Sequence, residues 1–314
     1  MIIKTSKASQ FNIPKITNSL LSVLEEPLGD FPRIPTRSEF DPDIKIAKPN
    51  QKYLITIVFC IFNKHRFLPK VFESLLNESY FNRTEILFVD DFSSDNSPDL
   101  LKNFSSHYPN VNYVRNDKNR GILGTRIVGA FQSSGEYMMS FVPDDEIIEG
   151  AIEFIYKMAI KYNTDIITYE RNIANFQRSI KIEGNTKTEE IIRLIQNNNT
   201  EIFDIFAKGQ IYYGITTSMI RTSLIQASIM LIPKDIREGY YIAGEDLLLF
   251  GLVARYAKTL LWLKNTVYIY NCNAPQNHVA IKNPSKNSLG VMHNEMCQTL
   301  VNITKSEIDQ SYYA

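Results

Sequence analysis

The sequence contains few cysteines and no excess of charge of either sign. Cys60, Cys272 and Cys297 are odd in number, widely spaced and without a Cys-x-x-Cys pair, which argues against a disulfide framework or a zinc site. The 34 Lys and Arg residues balance the 34 Asp and Glu residues, so the chain lacks the basic field that attracts nucleic acid. We therefore expect a reducing compartment, a small-molecule partner and no nucleic acid.

Long hydrophobic runs are also missing from the sequence. No apolar run approaches the ~20 residues that a membrane span needs, and the first residues lack the apolar core of a signal peptide. These features predict a cytoplasmic protein that is soluble or in peripheral contact with a membrane. The 314 residues, 44% of them hydrophobic, suffice for one large α/β domain or two smaller ones.

Apolar patterns of strand and helix alternate along most of the chain. They predict strands at 53–62, 85–89, 111–114, 137–142, 165–169, 211–221 and 260–270, and helices at 67–78, 98–106, 122–132, 147–161, 189–196 and 244–257. Such alternation indicates βαβ units and a parallel sheet that binds ligands at the carboxyl ends of its strands. The proline-rich residues 1–50 are predicted to form an N-terminal arm.

Three consecutive carboxylates, Asp144, Asp145 and Glu146, follow the strand predicted at 137–142. Acids held together repel one another unless a cation or a proton compensates. Mg²⁺ and Mn²⁺ bind one or two carboxylates together with substrate phosphate oxygens, so the cluster points to chemistry on a diphosphate. The alternative is a solvated acidic turn that starts the helix at 147–161.

Five motifs occur in a characteristic order and spacing. They are Val58-Phe-Cys-Ile-Phe-Asn63, Leu87-Phe-Val-Asp-Asp-Phe-Ser-Ser-Asp-Asn-Ser97, Asn119-Arg-Gly121 with Arg126, Ser134-Gly-Glu-Tyr-Met-Met-Ser-Phe-Val-Pro-Asp-Asp-Glu146, and Gly244-Glu-Asp-Leu247. Over residues 53–280 the series resembles the inverting family 2 glycosyltransferases of the GT-A fold.

The resemblance implies an α/β fold of GT-A (Rossmann-like) type. Its central sheet would be mostly parallel and flanked by helices, with an N-terminal arm and a C-terminal helical tail. The implied divisions are an arm at 1–50, a GT-A domain at 51–280 with a nucleotide-sugar half (51–150) and an acceptor half (151–280), and a tail at 281–314.

The resemblance places the nucleotide at the ends of the first two strands. Asp91, with Asp90 beside it, would bind the base, and Phe62 and Asn63 would form the other wall of the base pocket. As alternatives, Asp91 is an Asx-turn that caps the next helix, Phe62 is a core aromatic and Asn63 is a turn residue.

The Asn119-Arg-Gly121 element would bring the backbone close to the nucleotide, since glycine has no Cβ. Arg126 would either pair with the diphosphate or brace a carboxylate of the site, both of which suit its planar donor fork. A surface arginine on a helix is the alternative reading of Arg126.

The acid cluster departs from the family pattern, which usually reads Asp-x-Asp-Asp. Proline stands at the first position, as Pro143. The resemblance makes Asp145 the metal ligand and puts Asp144 at the nucleotide, where Asp144 or Glu146 could compensate for the missing aspartate. His278 matches a position that binds metal or phosphate in some members, although a lone loop histidine is commonly ordinary surface.

Gly244-Glu-Asp246 resembles the element that carries the general base. Asp246 would take the proton from the acceptor hydroxyl, and Glu245 would bind the acceptor or orient the base. An acidic first turn favoured by the helix dipole is the alternative. The implied reaction moves a sugar from a nucleotide-sugar, expected to be a UDP-sugar, to a hydroxyl of a glycan or glycolipid, as in bacterial surface polysaccharide or lipo-oligosaccharide synthesis, with Mg²⁺ or Mn²⁺ as cofactor.

Two rival functions remain open at this point. A nucleotidyltransferase would need a basic glycine-rich loop early in the chain, and the first strand leads into Phe62-Asn-Lys-His-Arg66 without a glycine. A nucleotide- or glycan-binding module of weak or no activity is favoured by Pro143 alone.

Overall fold

The structure is a computed structural model that describes residues 53–174, 189–211, 214–271 and 286–311. The predicted arm at 1–50, Cys272 and His278 lie outside the described residues. None of the described helices is long and apolar enough to cross a membrane.

Strands and helices alternate through the first half of the described chain, except that β5 follows β4 directly. The elements are β1 (Ile55–Ile61), α1 (Leu68–Leu76), β2 (Thr84–Asp90), α2 (Ser97–His107), β3 (Val111–Arg115), α3 (Gly121–Gln132), β4 (Tyr137–Phe141), β5 (Glu146–Ile147) and α4 (Ala151–Tyr162). Every residue of β1, β2 and β4 is buried, as expected for parallel strands covered on both faces.

The second half is less regular. Its elements are β6 (Ile166–Ala174), β7 (Ile191–Gln196), α5 (Asn199–Ala207), β8 (Ser218–Arg221), α6 (Thr222–Met230), α7 (Lys234–Glu238), α8 (Glu245–Tyr256), β9 (Thr259–Asn271) and α9 (Lys286–Ser311).

The strands of the described residues form one sheet in the order β3-β2-β1-β4-β8-β6-β9-β5, with β7 also paired to β9. β1 is parallel to β2 and β4, and β2 is parallel to β3. β8 is antiparallel to β4 and β6, while β6 and β9 are parallel. The expected mixed α/β architecture with a mostly parallel central sheet is confirmed.

The sheet separates two hydrophobic cores. Alternate β1 residues such as Ile57 and Phe59 belong to a core shared with α1, α2 and α4, whereas Val58 and Cys60 belong to a core shared with α3, α5, α6, α8 and α9. This alternation follows from the two-residue period of a strand. Because β1 is parallel to both β2 and β4, the carboxyl ends of these three strands lie along the same edge of the sheet.

Three secondary-structure predictions differ from the structure in type or in extent. The helix predicted at 147–161 begins only at Ala151, because Glu146 and Ile147 pair with β9. The helix predicted at 189–196 is the edge strand β7, whose apolar run pairs with β9. Within the strand predicted at 211–221, Ser218–Arg221 is extended and a 3₁₀ turn at Ile215–Thr217 precedes it, while residues 212–213 lie outside the described residues. Helices α5, α6 and α7 were not predicted.

Candidate active site

The two aspartates at the end of β2 have different surroundings. Asp90 is completely buried and accepts hydrogen bonds from Arg115 Nη1 (2.6 Å), Tyr113 Oη (3.2 Å) and the Ser93 N–H (3.0 Å). These contacts tie the end of β2 to β3. Asp90, predicted at the nucleotide, is thus committed to structural partners.

Asp91 holds the start of α3. Its Oδ1 accepts from Asn116 Nδ2 (2.8 Å) and the Arg120 N–H (2.7 Å), and its Oδ2 accepts from the Gly121 N–H (2.9 Å). Burial raises the pKa of Asp91, and these hydrogen bonds oppose the rise. Because a carboxylate offers about four acceptor positions, the side chain retains capacity for one further donor. Asp91 therefore caps α3, and not the helix α2 that follows its turn.

Asn119 and Gly121 shape the same helix start. Asn119 Oδ1 accepts from the Gly121 N–H at 3.0 Å. Gly121 has a φ of 73°, and a Cβ there would collide with the carbonyl oxygen of Tyr241. The glycine is thus required by a close approach of the loop before α8, a contact within the protein that its sequence motif did not indicate.

The end of β1 is fastened to the turn after β2. Asn63, at a φ of 53°, accepts hydrogen bonds on Oδ1 from the Ser94 N–H (2.8 Å) and the Asp95 N–H (3.3 Å). Its own N–H donates to Ser93 Oγ at 2.9 Å. Phe62 beside it is half-buried, so the two predicted walls of the base pocket are held together by Asn63.

The three acids after β4 diverge to separate partners. Asp144 pairs with Lys64 Nζ at 2.9 Å, and Glu146 pairs with Lys70 Nζ at 2.5 Å. Asp145 accepts from Tyr268 Oη and from the Asn271 N–H (2.9 Å). Burial raises the pKa of Asp145 to about 6. The predicted repulsion within the cluster is thus relieved by lysines and a phenol of the chain itself.

The residues of this loop fit a divalent cation of the expected kind. Asp144 is 8% exposed, and its Oδ1 is buried without a hydrogen-bond partner in the described structure. Asp145 follows directly, and one or two carboxylates with substrate phosphate oxygens suffice for Mg²⁺. The described ranges contain no group of three or more His, Cys, Asp or Glu residues that could hold a metal ion, so substrate oxygens would have to complete the coordination. Metal binding by Asp145 and His278 stays a prediction.

Arg126 joins α3 to the start of α8. It is 4% exposed, and its Nη1 donates to Glu245 Oε1 (3.0 Å) and to Asp246 Oδ1 (2.5 Å). The Ile215 N–H also donates to Asp246 Oδ1, at 3.1 Å. Arg126 was predicted either to pair with the diphosphate or to brace a carboxylate of the site. The geometry shows the second of these two roles.

The acid pair is electrostatically asymmetric. Burial raises the pKa of Glu245, the charge of Asp246 adds to that rise, and Arg126 opposes it. Burial alone would lower the pKa of Arg126, but the two carboxylates outweigh it and hold that pKa above its usual value. The Asp246 side chain is 37% exposed. Arg126 thus fixes an accessible carboxylate beside a buried one.

Several residues of this region were missed from the sequence. Lys64 adjoins the predicted Asn63 and could have been noticed as a charge beside the base-pocket motif. Tyr268 and Asn271 could not, because only the pairing of β5 with β9 brings the end of β9 to Asp145. Ile215 contributes a backbone N–H, which carries no side-chain signal.

The amino-acid sequence matches the model of one protein family. The model described as glycosyl transferase family 2 matches residues 56–225. The chain belongs to glycosyl transferase family 2. The matched segment includes every predicted nucleotide residue and ends before the α8 acids.

Curated relatives of this family 2 glycosyltransferase are distant. Glycosyltransferase GlyA of Streptococcus pneumoniae is 25% identical over 69% of the chain and 30% of its own length. The cholesterol galactosyltransferase of Borreliella burgdorferi is 27% identical over 37% of the chain and 32% of its own length. The GalNAc(5)-diNAcBac-PP-undecaprenol beta-1,3-glucosyltransferase of Campylobacter jejuni is 24% identical, over 49% and 52%. The chain thus spans about a third to a half of these relatives.

Solved structures share the fold. TarS 1-349 of S. aureus in complex with UDP-GlcNAc matches with a TM-score of 0.58 and 15% identity, over 77% of this chain and 65% of that one. The same protein with UDP matches with a TM-score of 0.54 over 80% and 70%. The GT-A fold expected from the motifs is confirmed.

Proposed function

We propose that the chain transfers a sugar, with inversion, from a nucleotide-diphospho-sugar to a hydroxyl of a glycan or glycolipid, with Asp246 as the general base. The observation that carries the proposal is Asp246 itself, an accessible carboxylate held by a buried arginine at the start of α8. Family membership supports the transferase chemistry.

Asp246 is arranged to accept a proton. Arg126 and the Ile215 N–H both donate to Oδ1, and no donor among the described residues reaches Oδ2. That oxygen would take the proton of the acceptor hydroxyl as the hydroxyl oxygen bonds to the anomeric carbon. The bond from that carbon to the diphosphate breaks on the opposite face, and the diphosphate leaves with the electron pair.

Glu245 is placed to orient the base and has little access to substrate. It is buried and shares Arg126 Nη1 with Asp246. Its burial disfavours the charged form, which lessens repulsion within the pair. We therefore assign Glu245 to positioning Asp246 through the shared guanidinium.

The donor would lie along the edge formed by the ends of β1, β2 and β4. Phe62, Asn63 and Asp91 would line the base, and TarS structures with UDP and UDP-GlcNAc support a UDP-sugar. Mg²⁺ or Mn²⁺ bound there would neutralise the departing diphosphate, and Asp144 and Asp145 are the residues that would hold it. Lys64, beside Asp144, adds a second positive charge near the same position.

The acceptor is proposed to be a glycan or glycolipid on the side of residues 151–280. The C. jejuni relative is named for a lipid-linked saccharide acceptor, and a Bacillus subtilis relative is a minor teichoic acid biosynthesis protein. Both names are consistent with synthesis of a bacterial surface polymer.

Replacing Asp246 with asparagine tests the proposal. We expect Asp246→Asn to lower the transfer rate at saturating donor by about 10²–10⁴-fold, with UDP binding unchanged in a calorimetric titration. Asp235→Asn is a matched control, because Asp235 is an exposed aspartate in the first turn of α7. NMR of the product anomer reports inversion.

Two outcomes would contradict this assignment. Transfer by Asp246→Asn at the wild-type rate would move the proton acceptance elsewhere. Intact UDP-sugar under every condition with the wild-type protein, despite UDP binding, would favour a binding module instead of a transferase.

A further inference from the structure

The C-terminal helix α9 lies beyond the segment that matches the family model, yet it contacts the loop that carries the proposed base. Gly244 precedes Glu245 and Asp246 directly and has a φ of 85°. A Cβ on Gly244 would lie 2.9 Å from the Cα of His293 in α9. The backbones of the loop and of α9 therefore touch one residue before the acid pair.

A second glycine repeats this close packing seven residues later. A Cβ on Gly251 in α8 would lie 2.5 Å from Leu300 Cδ2. Met296 and Leu300 of α9 are completely buried against α8. Because a helix advances two turns in about seven residues, α9 follows one face of α8 from its first turn onward.

A hydrogen bond between side chains also joins α9 to the loop between α7 and α8. Tyr241 Oη donates to Glu295 Oε1 at 2.9 Å. The same residue contacts α3, because its carbonyl oxygen accepts from the Leu123 N–H at 3.3 Å and lies against Gly121. Tyr241 therefore links α3, which supplies Arg126, to α9 through the loop between them.

We propose that α9 is part of the catalytic architecture, and that Tyr241 and Glu295 are positioning residues that fix the loop carrying Asp246 relative to Arg126. This inference rests on the proposed role of Asp246. It assigns a part in catalysis to a helix that lies outside residues 56–225 and outside the five sequence motifs.

The hydrogen bond suits a positioning role more than a stabilising one. Glu295 is exposed, so its loss leaves the buried contacts of Met296 and Leu300 in place. Burial, followed by the hydrogen bond to Glu295, raises the pKa of Tyr241 to about 12. The phenol therefore remains a donor throughout the pH range in which the enzyme would be assayed.

Four single variants of the full chain and one double variant test the proposal. Tyr241→Phe and Glu295→Ala remove the hydrogen bond, Glu295→Gln keeps an acceptor oxygen, and Asn294→Ala changes an exposed neighbour on α9. We expect the first two to lower kcat about three- to ten-fold, the fold-change that corresponds to one hydrogen bond. The Kd for UDP and the melting temperature should match those of Asn294→Ala.

Glu295→Gln should restore most of kcat, and the double variant Tyr241→Phe/Glu295→Ala should be no slower than either single variant, because both remove the same interaction. Hydrogen–deuterium exchange of residues 240–246 gives a measurement that is independent of activity. Exchange in that loop should be faster in Glu295→Ala than in Asn294→Ala.

Equal kcat in Glu295→Ala and Asn294→Ala would overturn the proposal, as would unchanged exchange in the loop. The proposal would also be overturned if Glu295→Ala and Glu295→Gln lowered kcat to the same extent and lowered the melting temperature to the same extent. That result would show that Glu295 has a purely structural role. Failure of the proposed base is recognised separately, because it appears as wild-type transfer by Asp246→Asn.

Discussion

Replacing Arg126 with methionine would test the electrostatic arrangement at the start of α8. Methionine fills much of the same space with an unbranched apolar side chain but removes both hydrogen bonds from Nη1. Glu245, whose side chain is 10% exposed, then lacks its only described cation, while Asp246 keeps the Ile215 N–H. The substitution thus leaves a buried carboxylate uncompensated.

The structure sets the size of the expected effect. Removing one partner of a buried ion pair costs about 3–5 kcal/mol, because the remaining charge is left without compensation. Only the Arg126–Glu245 pair enters this figure, since Asp246 is more than a third exposed and solvent screens its charge. A loss of this size is a large part of the stability of an ordinary domain.

The loss should depend on pH with a definite sign. Burial places the pKa of Glu245 above that of an unfolded glutamate, so the folded state binds this proton more tightly. The resulting stabilisation is fully present below the unfolded pKa and is lost as pH rises through the folded pKa. Arg126 opposes the upward shift, so its removal raises the folded pKa further. The destabilisation should be larger at about pH 8 than at about pH 5.

Urea unfolding of both proteins at the two pH values measures the effect, provided that the m-value is unchanged. The double variant Arg126→Met/Glu245→Gln is the control, because it removes the buried charge with its partner and should recover most of the stability at the higher pH. An equal loss at both pH values, or no recovery in the double variant, would refute the reasoning.

Two further predictions concern the donor site. Asp91→Ala should lower the free energy of unfolding by about 1–3 kcal/mol, because it removes the acceptor of the Arg120 N–H and of the buried Asn116 Nδ2. It should also weaken UDP binding in a titration; wild-type affinity would make Asp91 a helix cap only. Asp145→Asn should reduce the additional thermal stabilisation that Mn²⁺ gives in the presence of UDP, since an amide oxygen is a weaker ligand for a hard cation than a carboxylate. Asp144→Asn should reduce this stabilisation less. A greater effect of Asp144→Asn would make Asp144, with its unpartnered Oδ1, the principal ligand, and no effect in either variant would remove the proposed metal site.

The strands and helices that agree with prediction are those with the clearest local patterns. β1, β2 and β4 are continuous apolar runs that end in turn or acid residues, so their position and their parallel arrangement followed from composition and spacing. β7 was predicted as a helix because a run of six residues with four apolar positions is compatible with either period. Only its pairing with β9 selects the strand.

The functional motifs were recognisable, but their partners were not. The order of the motifs indicated the family, and Asp246 and Arg126 were both singled out. The sequence left Arg126 with two possible partners because 120 residues separate it from Asp246. Likewise, the alternative to base binding for Asp91 was a cap on the helix after its turn, whereas Asp91 caps α3, which begins 30 positions later.

By itself the sequence determined the α/β class, the edge of the sheet that carries polar residues, and the family, because these depend on local periodicity and on residue types near strand ends. The tertiary structure alone decided which charges meet: Lys64 with Asp144, Tyr268 with Asp145, and Arg126 with Asp246. It also brought α9 against Gly244. Contacts between distant residues depend on sheet order and helix packing, and one chain's local pattern contains no signal for either.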